Sequence, residues 1–151
     1  MLGINEKIIE TLEHLIAIAN GGKYGYEKAA LDIKDTVLKQ MFMQYSLERA
    51  GYVDELKREV TRLGGSSHTG SGPLGALHRT WMDIKSVITS GERKTILKTC
   101  ITGEEAALKA YTEALRDKNI PENIKPMISQ QLSAIQFALN SIRSLAATTN
   151  A

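Results

Sequence analysis

Three glutamates lie in or beside the apolar stripes of segments that the sequence predicts to be long helices. Glu104 interrupts the stripe between Leu97 and Tyr111, Glu48 lies halfway along an earlier segment, and Glu27 lies in the first one. A carboxylate buried without a partner costs several kcal/mol, so a metal ion, a basic side chain or water must neutralise such groups. The sequence therefore predicts a polar layer across the middle of the fold.

A di-metal centre is the first chemistry to test against this pattern. In helical bundles such a centre takes one Glu from each of two helices and Glu-x-x-His from each of the other two. Glu48 is followed three residues later by Gly51, and Gln131, at the same level of the last helix, is followed by Ala134. The candidate metal ligands are therefore Glu27, Glu48, Glu104 and Gln131. Oxygen ligands without imidazole favour Mn or Fe(II) only weakly.

Basic and hydroxyl side chains at the same level offer a second way to neutralise the layer. Lys23 and Arg49 lie near the centres of the first and second helices, and the hydroxyls of Tyr52 and Tyr111 can bond to carboxylates. Because both histidines of the di-metal pattern are missing, an ion-pair layer is the favoured interpretation of Glu104. No cofactor is expected, and Fe or Mn is the alternative.

The spacing of apolar residues predicts the elements that position these groups. Apolar residues recur every three or four positions over four long helices and one short one. The predicted helices span about 5–33, 36–63, 91–117 and 121–147, with the short helix at about 74–89. Gly21 and Gly22 interrupt the first helix, so either a turn divides it or one helix tolerates a weak point. The apolar spacing keeps its phase across the glycines, which favours one continuous helix.

The connection between the second and third long helices decides the topology. A Gly- and Ser-rich linker at 64–73 precedes the short helix, and together they can travel the length of a bundle whose helices are each about 40 Å long. The second and third helices are then parallel. The sequence predicts an all-α, ferritin-like four-helix bundle of up-down-down-up order, one domain over residues 1–151, with a long crossover that carries the short helix.

Composition restricts the partners. A net charge of +2 with interleaved signs argues against nucleic acid, and no apolar run is long enough to span a membrane. The N-terminus lacks the features of a signal peptide, and the single Cys100 excludes an internal disulfide, so we expect a cytoplasmic protein. A homo-oligomer, with a dimer as the first expectation, is predicted. Ile8, Ile18 and Val53 either mark its interface or widen the core-facing stripe.

The short helix carries a cluster of its own. His78, Arg79 and Trp81 could form a small anion site or a partner site. Alternatively, Trp81 packs the crossover onto the bundle while the two polar residues lie at its edge.

Two stretches, GALHRTW at 75–81 and GEEAALKAY at 103–111, resemble a bacterial family of unknown function that is described as a ferritin-like four-helix bundle. The resemblance implies the fold and an association with stress responses, but no activity. Many members carry a His on the last helix where this chain has Leu139, which weakens the case for a metal site.

The sequence is consistent with three functions. The first is a non-catalytic bundle with a structural polar layer, the second a di-iron or manganese carboxylate protein in oxidation or metal handling, and the third a small-molecule or lipid-binding bundle. No catalytic residue is predicted, and the sequence identifies no small-molecule ligand.

Overall fold

The computed structural model describes residues 3–65 and 93–149, and these two ranges contain helices and turns but no strand. The helices are α1 (Ile4–Asp32), α2 (Thr36–Arg62), α3 (Arg93–Arg116) and α4 (Lys125–Ala147). Helix α1 continues through Gly21 and Gly22, so the prediction of one unbroken helix is confirmed. The predicted short helix, with His78, Arg79 and Trp81, lies outside the described residues.

Local sequence signals set both ends of α2. The carboxylate of Asp35 accepts hydrogen bonds from the backbone N–H groups of Val37 and Leu38, which caps the first turn. At the other end Gly64 adopts a φ of +89°, a left-handed conformation that favours glycine. The N–H of Gly65 then reaches back to the carbonyl of Val60 and ends the helix in a Schellman motif.

Helix α4 begins later than the sequence predicts. The prediction placed its start near Pro121, with Pro126 leaving the exact position open, whereas turns and a bend occupy 118–120 and 122–124 and the helix starts at Lys125. The N–H of Ile124 donates to the carbonyl of Pro121 within these turns. Pro126, instead of Pro121, therefore occupies the first turn, where its missing N–H is not needed.

The helices pair as α1 with α2 and α3 with α4, and α1 also packs against α3. Contacts at the two ends of the bundle give the directions. Thr11, near the start of α1, donates to Asp117 just after α3, and Asp35, just after α1, pairs with Arg93 at the start of α3. Helices α1 and α3 are therefore antiparallel, and α2 and α3 run in the same direction. The predicted up-down-down-up order is confirmed.

The described residues form two apolar core clusters, one toward each end of the bundle. The first, the lower cluster, contains Leu12, Leu56 and Ile128, and the second, the upper cluster, contains Phe42 and Leu97. Between them lies the polar level that the glutamates mark in the sequence.

Three apolar residues with an ambiguous prediction belong to this core. Ile8, Ile18 and Val53 are all buried, so they widen the core-facing stripes and form no surface patch. Within the described ranges, none of the helices is both long enough and apolar enough to cross a membrane.

Candidate functional site

A bidentate ion pair between α2 and α3 occupies the middle of the bundle. The guanidinium nitrogens Nη1 and Nη2 of Arg49 donate to Oε1 and Oε2 of Glu104 at 2.6 and 2.5 Å. The Arg49 side chain is 3% exposed and that of Glu104 is 0% exposed. Parallel pairing of a planar guanidinium with a carboxylate is the strongest geometry available to such groups. Both oxygens of Glu104 are thus engaged by one cation.

Two tyrosine rings flank this cation. The Cζ atom of Arg49 lies 5.5 Å from the ring centroid of Tyr26 and 5.9 Å from that of Tyr52. An aromatic face attracts a cation that has lost its water, so the rings replace part of the hydration that burial removes. Tyr26 and Tyr52 come from α1 and α2, so the guanidinium is enclosed from two helices as well as from Glu104.

A glycine of α1, Gly22, makes room for Arg49. Gly21, Gly22 and Gly25 are all buried, although each disfavours the helix relative to alanine. A Cβ atom on Gly22 would lie 3.0 Å from Nη1 of Arg49 and 3.4 Å from its Cγ. The absence of a side chain there lets the arginine lie against the backbone of α1. The sequence feature that looks like a weak point in the helix is therefore a packing feature of the site.

A second polar chain crosses the bundle beside the ion pair. The hydroxyl of Tyr111 donates to Oε1 of Gln131 at 2.6 Å, and Nε2 of Gln131 donates to Oε1 of Glu55 at 3.4 Å. Gln131 is 2% exposed, so its amide needs these partners. The chain joins α3, α4 and α2 and leads from the buried layer to the partly exposed Glu55.

Burial and the ion pair shift the pKa values of the surrounding groups. Burial lowers the pKa of Arg49, but the charge of Glu104 and its hydrogen bonds outweigh this, so the pKa lies above its ordinary value. Burial first, and then the charge of Glu104, raise the pKa of Tyr26. Burial followed by the same charge also raises the pKa of Cys100. In the described part of the chain, the layer therefore holds the Arg49–Glu104 pair of charges beside tyrosine and cysteine side chains that are kept neutral.

The other predicted members lie away from the centre of this layer. Lys23 is half-buried, with its Nζ 5.1 Å from the ring centroid of Tyr24, and its backbone carbonyl accepts a hydrogen bond from Ser46. Glu48 is half-buried and accepts a hydrogen bond from Gln44 on its own helix.

Glu27 lies farther out still. It is exposed on the outer side of α1, where it lines a groove together with residues of α2. Of the four candidate metal ligands, only Glu104 and Gln131 are buried in the layer.

These positions do not fit the di-metal centre that a ferritin-like bundle can hold. Both oxygens of Glu104 accept from the Arg49 guanidinium, whose positive charge stands where a metal ion would have to bind, and Oε1 of Gln131 accepts from Tyr111. Among the described residues no group of three or more His, Cys, Asp or Glu is arranged to hold a metal ion. Leu139, on the last helix, is fully buried as an apolar residue.

Two parts of the site were missed by the sequence reasoning. Glu55, which binds Gln131, lies seven residues after Glu48, and that heptad spacing was the signal that could have identified it. The role of Gly22 was also missed. Three buried glycines within five residues of one helix, at the level of an arginine on the next, are a signal for close approach of that side chain.

The fold and the site first define a class: a four-helix bundle of up-down-down-up order, crossed at mid-height by a buried Arg–Glu pair. Residues 7–117 match a family described as a domain of unknown function, DUF2383. This match covers more than half of the chain, so the protein belongs to that family. The curated proteins contain no match to the chain.

Proposed function

We propose that this protein is a non-catalytic, ferritin-like bundle in which the polar layer is structural and an arginine takes the place of the metal. The observation that carries the proposal is the bidentate contact from Arg49 to both oxygens of Glu104. A guanidinium supplies a positive charge to the centre of the bundle, as an iron ion would. It brings no open coordination position and no redox chemistry, so it has no direct use in oxidation.

The surroundings of the pair support a structural role. A catalytic layer needs a group whose proton or lone pair is available to a substrate. Burial raises the pKa values of Tyr26, Tyr111 and Cys100, which keeps all three neutral at ordinary pH. The buried cation is enclosed by aromatic rings and by the backbone of α1 at Gly22.

Elemental analysis tests the proposal directly. The full chain is expressed in medium supplemented with iron or manganese, and its metal content is measured after purification without chelators. We expect no stoichiometric metal. Two metal atoms per chain would contradict the proposal and support the carboxylate-protein alternative.

A matched pair of variants separates a structural from a ligand role for Glu104. Glu104→Ala should lower stability and leave the metal content unchanged at background. The control, Glu105→Ala, changes the neighbouring exposed residue, which pairs with Arg143 at the surface, and should alter neither quantity measurably. Metal that is present in the wild-type protein and absent only from Glu104→Ala would assign Glu104 as a ligand.

The part of the proposal that concerns physiology is an association with stress responses, which rests on the family resemblance alone. We expect cells that lack the protein to grow normally under ordinary conditions and to survive stress less well. Equal survival of the two strains across oxidative, osmotic and starvation stress would contradict this part without affecting the structural role of the layer.

A further inference from the structure

Exposed apolar side chains concentrate on one face of the bundle. Tyr24 and Leu31 lie seven residues apart on α1, and Met43 and Leu47 lie four residues apart on α2, so each pair shares one side of its helix. Leu31 is 72% exposed and Leu47 is 69% exposed. We call the surface formed by these four residues the α1–α2 outer face. The other exposed large hydrophobic residues of the described ranges are Ile4, Val37 and Phe137.

A groove runs along this face between the two helices. It has a volume of about 240 Å³, and Leu31, Met43 and Leu47 form much of its wall. Clustered apolar surface that is rimmed by polar residues is characteristic of an interaction site, whereas single exposed apolar residues are ordinary. The groove lies on the side of the α1–α2 pair that faces away from the core, where the two helices leave it open.

Two opposite charges flank the apolar residues of the groove. Glu27 and Lys39 both line it, one from each helix. Within the described ranges neither forms an ion pair or a side-chain hydrogen bond, whereas Lys28 and Asp32 of the same region pair with each other. The groove thus carries one acidic and one basic group that are both available to a partner. The chain's net charge of only +2 produces little repulsion between two copies.

We propose that the α1–α2 outer face binds the same face of a second copy of this chain, forming a twofold-symmetric dimer. A twofold interface brings each patch against itself, so it must be self-complementary. An apolar centre meets this requirement, and so does a flanking pair of opposite charges. In the dimer Glu27 of one copy faces Lys39 of the partner subunit, and the symmetry repeats the contact. The four apolar side chains of each copy fill the central groove between the two pairs of helices.

Sedimentation velocity of the full chain over a range of concentrations tests the dimer. We expect a reversible monomer–dimer equilibrium for the wild-type protein. Leu47→Glu, which buries a charge at the centre of the interface, should weaken dimerisation by about tenfold or more. The matched control is Phe137→Glu on α4, a residue that is equally exposed but lies outside the face, and it should leave the equilibrium unchanged. Circular dichroism confirms that each variant is folded.

A charge exchange tests the pairing itself. Glu27→Lys and Lys39→Glu should each weaken the dimer, because each places like charges opposite one another. The double variant restores opposite charges and should recover most of the affinity, which a loss of folding could not do. A chain that is monomeric at every concentration, or a dimer that Leu47→Glu leaves intact, would overturn the proposal. A dimer without recovery in the double variant would overturn the proposed pairing of charges.

Discussion

Replacing Glu104 by leucine leaves the guanidinium of Arg49 buried in the middle of the bundle without its counter-charge. Because the Arg49 side chain is 3% exposed, water cannot take the place of the carboxylate. Removing one partner of a buried ion pair costs about 3–5 kcal/mol, far more than the pair contributes relative to an apolar alternative. We therefore expect Glu104→Leu to lower the free energy of unfolding by about 3–5 kcal/mol. Arg49→Met should have a similar effect, because it leaves the carboxylate unpaired.

The double variant, Glu104→Leu with Arg49→Met, separates the cost of an unpaired buried charge from the cost of lost packing. With both charges gone, neither member of the ion pair is left buried without its counter-charge. Replacing a buried ion pair by apolar residues of similar volume is often neutral or stabilising, so the combined substitutions should cost far less than the sum of the single ones.

Urea unfolding of the wild-type, single and double variants closes the thermodynamic cycle. The midpoints give the changes in the free energy of unfolding, provided that the slopes with urea stay constant. We expect a coupling energy of at least about 3 kcal/mol between the two positions. Additive single and double effects, or a loss below about 1 kcal/mol for Glu104→Leu, would refute the view that a buried charge pair controls this layer.

Three further predictions follow from the site. Gly22→Ala should destabilise the protein although alanine favours the helix, because Arg49 is held by Glu104 and cannot yield to the new Cβ atom. Gly51→Ala is the control: a Cβ atom there has nothing within 4 Å, so this change should stabilise the protein by about 0.5–1 kcal/mol. The urea midpoints of the two variants give the comparison. Burial raises the pKa of Tyr111, so its neutral form favours folding below about pH 10, and this contribution is lost as the pH rises further. Tyr111→Phe should therefore reduce the loss of stability at alkaline pH, measured by urea unfolding below and above about pH 10. Cys100 is fully buried and its pKa is raised, so a thiol reagent should react with it only as fast as the protein opens around it. Rapid reaction of Cys100 in the native protein would contradict its burial.

Features with local causes were predictable from the sequence. Asp35 before an apolar stretch and Gly64 after one are capping signals, and the structure places the ends of α2 beside them. The unbroken α1 followed from the phase of its apolar residues. The parallel directions of α2 and α3 followed from the length of the sequence between them, because parallel helices must be joined along the whole bundle.

Which side chain pairs with Glu104 depends on how each helix is rotated about its axis, and the spacing of residues along the sequence does not give that rotation. Glu48 and Arg49 are adjacent, and neighbours on a helix point about 100° apart, so only one of them can face the centre. Lys23 lies at the same level as Arg49 and carries the same charge. Tertiary packing decides between them, since Gly22 of α1 provides space for the longer, planar side chain of Arg49. The start of α4 was uncertain for a similar reason, because two prolines each suited a first turn.

The Arg49–Glu104 pair also fixes how far α2 can slide along α3. An apolar seam of leucine, isoleucine and alanine tolerates a shift by one helical turn, about 5.4 Å, because one aliphatic side chain replaces another at little cost. The same shift would move a guanidinium into one apolar cluster and leave a carboxylate beside the other, with neither charge paired. The buried ion pair between the two apolar clusters therefore favours one alignment of the helices. It favours one native packing over its near neighbours without adding greatly to the total stability.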